Sequence, residues 1–200
     1  MAVVSNGTTL IDAGALAAGV ASGPLQLISS QTASSSANIS FTSGITSAYK
    51  EYVFSFHNIH PATDGAKFGF QFNASGGSGF DETLTTTYWR TYNNEAADSA
   101  GTGYVQSEDQ AQGTAFTILD GGVGADADQC TAGVMQLFNP ASTTFTKHFM
   151  FRGTHYDVNN FVADVHMSGY VNTTSAITEV QFKFASGNID AGTTKMYGVA

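Results

Sequence analysis

The side chains from which chemistry would begin in this 200-residue chain are five histidines, sixteen carboxylates, one cysteine and one tryptophan. His57 and His60 stand three apart at the end of a strand-like run. A zinc site needs further His, Cys or carboxylate ligands converging on them, and the turn that follows carries Asp64, the nearest acid, away from His57. His148, His155 and His166 fall on separate segments and match no ligand spacing. Gly121-Gly122-Val123-Gly124-Ala125-Asp126 matches the opening of the calcium-binding G-G-x-G-x-D repeat, but that chemistry needs tandem copies, and the apolar eighth position is here Asp128. Asp120, Asp126 and Asp128 are thus hard oxygen donors for Ca²⁺ in a Gly-rich segment, with a solvated acidic loop as the plainer reading. The neighbours Asp81-Glu82 and Glu108-Asp109 point to opposite faces of a strand, so neither is a glycosidase pair. With 19 Ser and 24 Thr in the chain, any Ser-His-Asp set is uninformative. No nucleophile elbow, P-loop or dinucleotide fingerprint occurs. The expectation is a chain with no catalytic residue, no bound cofactor and no resident metal.

Trp89, Tyr92 and Tyr104 border a long polar stretch. If exposed they would stack on sugar rings, as lectin-type jelly rolls do; if buried they are core. They are the candidate glycan contacts. Seven Lys and Arg against sixteen Asp and Glu give a net charge of −9. That excludes a phosphate-binding surface as the main function, since such a surface depends on cations, and it argues against an anionic membrane surface as partner. No apolar run is long enough to span a bilayer as a helix. The first Lys is Lys50, so the start of the chain lacks the basic region of a secretory signal. Cys130 is alone, so no internal disulfide forms.

The elements that would position these residues are strands. Fifteen Phe, eight Tyr and abundant Thr, with few helix formers, predict an all-β chain. Tyr52, Phe54 and Phe56 alternate with Val53, Ser55 and His57, Phe68, Phe70 and Phe72 alternate with Gly69 and Gln71, and Pro61–Gly65 lies between the two runs with an Asp-Gly turn. This spacing predicts a β-hairpin whose two aromatic rows face one core. Val180, Phe182 and Phe184 repeat the pattern before a Gly-containing turn and a last strand. The period-2 signal begins at Leu25, and eight or nine such runs predict an antiparallel β-sandwich, jelly-roll-like, with the domain placed over 31–200. Residues 93–130, polar and Gly-rich, are expected as a long functional excursion from it. Residues 1–30 hold spaced aliphatics, Val3, Val4, Leu10, Ile11, Leu16, Val20, Leu25, Leu27 and Ile28, and one charge, Asp12. Ala13–Ala18 has the composition for a helical turn or two, weakened by Gly14 and Gly19. Such a segment builds no core of its own and is expected to be an extended arm that anchors the sandwich to a partner.

Several stretches then form a pattern: Ser5-Asn6-Gly7-Thr8-Thr9-Leu10-Ile11-Asp12, Leu27-Ile28-Ser29-Ser30-Gln31-Thr32, Tyr49-Lys50-Glu51-Tyr52, Asn58-Ile59-His60-Pro61-Ala62-Thr63-Asp64, Leu137-Phe138-Asn139-Pro140-Ala141-Ser142, and Phe184-Ala185-Ser186-Gly187-Asn188-Ile189-Asp190. Together they resemble a family of virion structural proteins of tailed bacteriophages, especially phages of marine cyanobacteria. The similarity spans the chain and is weakest over 93–130. It implies a virion component assembled in the host cytoplasm, with other capsid or tail proteins as partners, and it carries no catalytic residue over. The expected function is an exterior accessory, a capsid decoration (cement) protein or a tail-fibre component, preferentially a homotrimer held by its N-terminal arm. The alternative is a carbohydrate-binding module for adsorption to a host-surface glycan. A hydrolase would require carboxylates from different strands to converge in a cleft.

Overall fold

The computed structural model describes residues 23–200 in full, together with the strand backbone of three short N-terminal segments. Those segments are β1 (Val3–Ser5), β2 (Thr8–Asp12) and β3 (Ala15–Leu16), joined as a three-stranded antiparallel sheet of their own. The rest is β4 (Leu25–Ser36), β5 (Ile39–Phe41), β6 (Glu51–Pro61), β7 (Ala66–Ala74), β8 (Leu84–Asn94), β9 (Ala100–Tyr104), a 3₁₀ turn at Gln106–Glu108, β10 (Ala111–Gly113), β11 (Thr117–Val123), β12 (Thr131–Phe138), β13 (Lys147–Tyr156), β14 (Phe161–Val171), β15 (Ile177–Phe184) and β16 (Ile189–Val199).

Two sheets enclose the core. One has the order β10-β8-β14-β13-β12-β6-β16-β4, with β9 as a ninth strand beside β8; the other is β11-β7-β15-β5. The quartet β4-β16-β6-β12 faces β5-β15-β7-β11, and the chain changes sheet at β4→β5, β5→β6, β6→β7, β7→β8, β10→β11, β11→β12, β14→β15 and β15→β16. This is the eight-stranded jelly roll, so the all-β sandwich read from the sequence is the fold. Its larger sheet is widened by β13, β14 and β8, which are inserted into two of the connections.

The aromatic alternation sets the packing. Tyr52, Phe54 and Phe56 point inward from β6, and Phe68, Phe70 and Phe72 point inward from β7, all fully buried. They do not form a hairpin. β6 pairs with β12 and β16, and β7 pairs with β11 and β15, so residues 62–65 arch from one sheet to the other. The rows meet across the core, with the Phe56 and Phe68 rings 5.5 Å apart. Alternation dictates which residues face inward, but a four-residue turn serves equally well as an arch. The β15–β16 connection is built alike. Each arch carries one left-handed glycine, Gly65 (φ 69°) or Gly187 (φ 71°), and the Ala62 N–H donates to the Asn188 carbonyl at 3.0 Å, tying the arches together.

Three further expectations change. Leu25–Ser36 is one edge strand in register with β16 from Leu25↔Val199 to Ser36↔Ile189, so residues 25–30 are sheet rather than arm. Residues 93–130 are not an excursion: they hold the end of β8, all of β9 and β10, and β11, whose Leu119 and Val123 lie in the core. Within Ala13–Ala18, Ala15–Leu16 is a strand paired to β2 rather than a helical turn, as Gly14 and Gly19 favour. The outer face of the small sheet is covered at β7. There the buried Gln71 amide donates to the carbonyls of Glu82, Thr114 and Ala115 at 3.0, 3.1 and 3.1 Å.

Candidate functional site

The outer face of the nine-stranded sheet is the candidate site. Alternation along β8, β12, β13 and β14 buries one set of residues and sends the other outward. Register then aligns the outward set across strands: Tyr104 on β9 lies opposite Trp89, Trp89 opposite His166, His166 opposite Arg152, and Arg152 opposite Val134. The neighbouring row is Thr87, Ser168, Met150 and Gln136. Between the rows lies a shallow groove of about 410 Å³. Nine large apolar side chains are exposed among the described residues, and seven of them, Leu25, Leu27, Trp89, Tyr104, Val134, Met150 and Val162, stand on this face.

The groove's polar groups are loosely held. Arg152 reaches Asp164 at 3.4 and 3.5 Å, and His166 approaches the same carboxylate at 3.4 Å. Arg152 remains 72% exposed. The Tyr104 hydroxyl donates to Asp109, and that bond, ahead of burial, raises its pKa above the ordinary phenol value. The acid thereby fixes the ring beside Trp89.

Tyr92, the third candidate glycan contact, is not part of this face. It lies three positions from Trp89 and therefore on the opposite side of β8. Its ring packs 5.5 Å from Phe161, with the Arg90 guanidinium 5.3 Å above it. The spacing in the sequence already separates the two. What sequence reasoning missed is Arg152, Asp164 and His166 beside Trp89, because only strand register brings them there.

The candidate calcium donors do not converge. Asp120 is fully buried, accepts from the Thr131 hydroxyl, and lies 3.1 Å from His155 Nδ1. It thus links β11 of the small sheet to β12 and β13 of the large one. Asp126 and Asp128 are exposed in the following turn, and no cluster of three potential metal ligands exists among the described residues. His57 is exposed beside Ser55, and His60 is bonded to the Gln129 carbonyl. The adjacent carboxylates have separate tasks: Glu82 accepts the Ala74 N–H, Glu108 pairs with Lys67 at 2.7 Å, and Asp109 accepts from Tyr104.

Of the candidate anchor residues, Val3, Val4, Leu10, Ile11 and Leu16 lie on the three-stranded sheet, where Val3 and Leu16 are each in register with Ile11. Leu25 and Leu27 stand on the large sheet's outer face and Ile28 packs against the core. Val20 lies outside the described residues. The chain matches no protein-family model, and no curated protein or solved structure is similar enough to count as a match.

Proposed function

We propose that this chain is a non-enzymatic structural component of a tailed-phage virion: an exterior accessory protein of capsid or tail, attached through its N-terminal residues, with the jelly roll projecting. The family part of the reading rests on the sequence motifs from Ser5–Asp12 to Phe184–Asp190. The fold supports it as a class, since jelly rolls serve as capsid and lectin domains. The observation that carries it is the grouping of the exposed Trp89, Tyr104, Val134 and Met150 around one groove of a sheet face, which suits an interaction surface. Composition agrees: lysine is depleted at interfaces, and this face has Lys195 at its far side and none around the groove. A homotrimer is the preferred assembly.

Mass spectrometry of purified, DNA-filled particles of the encoding phage tests the reading. Peptides of this chain at a fixed ratio to the major capsid protein are expected. Their absence from particles, with the chain present in the infected-cell lysate, overturns it. Native mass spectrometry of the separately purified chain tests the trimer.

A second reading, a carbohydrate-binding module for adsorption, is favoured by one observation: Trp89 and Tyr104, at 45% and 55% exposure, are directly opposed on neighbouring strands beside a groove. Both readings hold together if the N-terminal residues face the particle and this sheet face meets the host.

A further inference from the structure

The Trp89–Tyr104 strip has a composition and charge that name its ligand. Resting on the carbohydrate-binding reading, we propose that the strip running from Tyr104 through Trp89, His166 and Arg152 to Val134 is a platform for an uncharged oligosaccharide. Sugar rings are apolar on their faces and ringed by hydroxyls at their edges. A site for them needs flat apolar surface flanked by side chains that donate and accept at once. Trp89 and Tyr104 supply two exposed rings, which bury large area at little entropic cost. Arg152, Asp164 and His166 supply donors and acceptors whose mutual contacts, at 3.4–3.5 Å, are long enough to be exchanged for ligand hydroxyls.

The charge of the strip favours a neutral ligand over an acidic one. Its one guanidinium stands beside the Asp164 carboxylate, which would repel a sulfate or uronate drawn to Arg152, and the chain as a whole carries −9. The dimensions exclude a lone monosaccharide as the full occupant. Tyr104 and Val134 are four strand spacings apart in register, about 19 Å at the usual separation of neighbouring strands. The Asp109 bond fixes the outer ring in advance, which lowers the ordering cost of binding.

Trp89 is the sole tryptophan, so intrinsic fluorescence reports from the site itself. The test titrates the full chain with hexasaccharides of neutral glucan, mannan and galactan, and with dextran sulfate and oligo-uronates of equal length. A saturable blue shift with at least one neutral hexasaccharide and none with the acidic probes is expected. Tyr104→Ala and Arg152→Ala should each weaken that response about tenfold or more, with unchanged melting midpoints. A flat response to every neutral probe overturns the proposal, as does an equal response to the acidic ones. So does protection of Trp89 from acrylamide in the free chain with a fall in oligomer mass for Trp89→Ala; that outcome assigns the strip to a second copy. The same variants are scored for incorporation into particles. Normal incorporation without sugar binding removes the platform and leaves the virion reading intact.

Discussion

Phe182 is the residue on which the core turns. Its ring lies 4.9 to 6.4 Å from those of Phe41, Phe54, Phe56, Phe68 and Phe70, which come from both sheets. Phe182→Ala should cost about 3–5 kcal/mol, a large part of a typical total of about 5–15. Phe145, 69% exposed in the β12–β13 connection, should cost less than about 0.5 when cut to Ala. Equal denaturation midpoints for the two variants would contradict this core. That Phe182 faces inward was legible from its alternation with Gln181 and Lys183; that it is the hub was not, since register decides which rings meet it. Three phenols give a pH signature. Burial, reinforced by Asp120 and Glu108, raises Tyr88, while bonds to Asp109 and Glu95 raise Tyr104 and Tyr156. A phenol with a raised folded-state pKa adds stability that is complete below its ordinary value of about 10 and is lost as pH climbs through the folded value. Stability should therefore fall on the alkaline side, and ultraviolet titration of the wild type against Tyr88→Phe, Tyr104→Phe and Tyr156→Phe should assign to each of these phenols an ionisation above the ordinary phenol range. Ionisation of these three at the ordinary value would refute it.

At the scale of elements, the two arches replace the hairpin that the Pro61–Gly65 turn suggests. Asp64-Gly65 reads as a hairpin turn because a left-handed glycine suits both uses, and Gly187 takes the same conformation in the second arch. Nothing local in the sequence reports that β12 and β16, rather than β7, flank β6. The choice is made by burial. A hairpin would set both Phe rows side by side in one sheet, whereas an arch sets them face to face and closes the core. The arches are also packed on each other: a Cβ at Gly187 would meet Thr63 Oγ1 at 2.3 Å. Gly187→Ala should therefore cost about 1–2 kcal/mol from the left-handed backbone alone, before any clash. Gly103→Ala, on β9 with nothing within 4 Å of the added carbon, should be near neutral. Thermal unfolding of the two variants in parallel reads the difference. A Gly187→Ala protein as stable as Gly103→Ala would mean that the arch does not depend on this residue's backbone conformation. The glycan strip belongs to this scale too. Trp89 was legible as a candidate, but its partners sit on β13 and β14, some sixty or more residues later in the chain.

For the whole molecule, the question is where the jelly roll begins. The change in composition near residue 30 suggested a boundary there, because aliphatics with few charges read as an arm wherever they lack a core. Leu25 and Leu27 fit that pattern only because they stand on an exposed sheet face, while Ile28 packs inward. The register of β4 against β16 moves the boundary to Leu25. Two truncations separate these limits. Removing residues 1–22 leaves every strand of the two large sheets, so the melting midpoint should hold, and the virion reading expects such a protein to fold yet fail to enter particles. Removing residues 1–36 also strips β4, takes Ala33 and Ile28 from the core, and bares the eleven-residue edge of β16. A long unpaired edge invites intermolecular pairing. The second truncation should lower the midpoint and raise the apparent mass in light scattering, with the first unchanged in both. A monomeric 37–200 fragment as stable as 23–200 would show that β4 is dispensable and return the boundary to the arm side of residue 36.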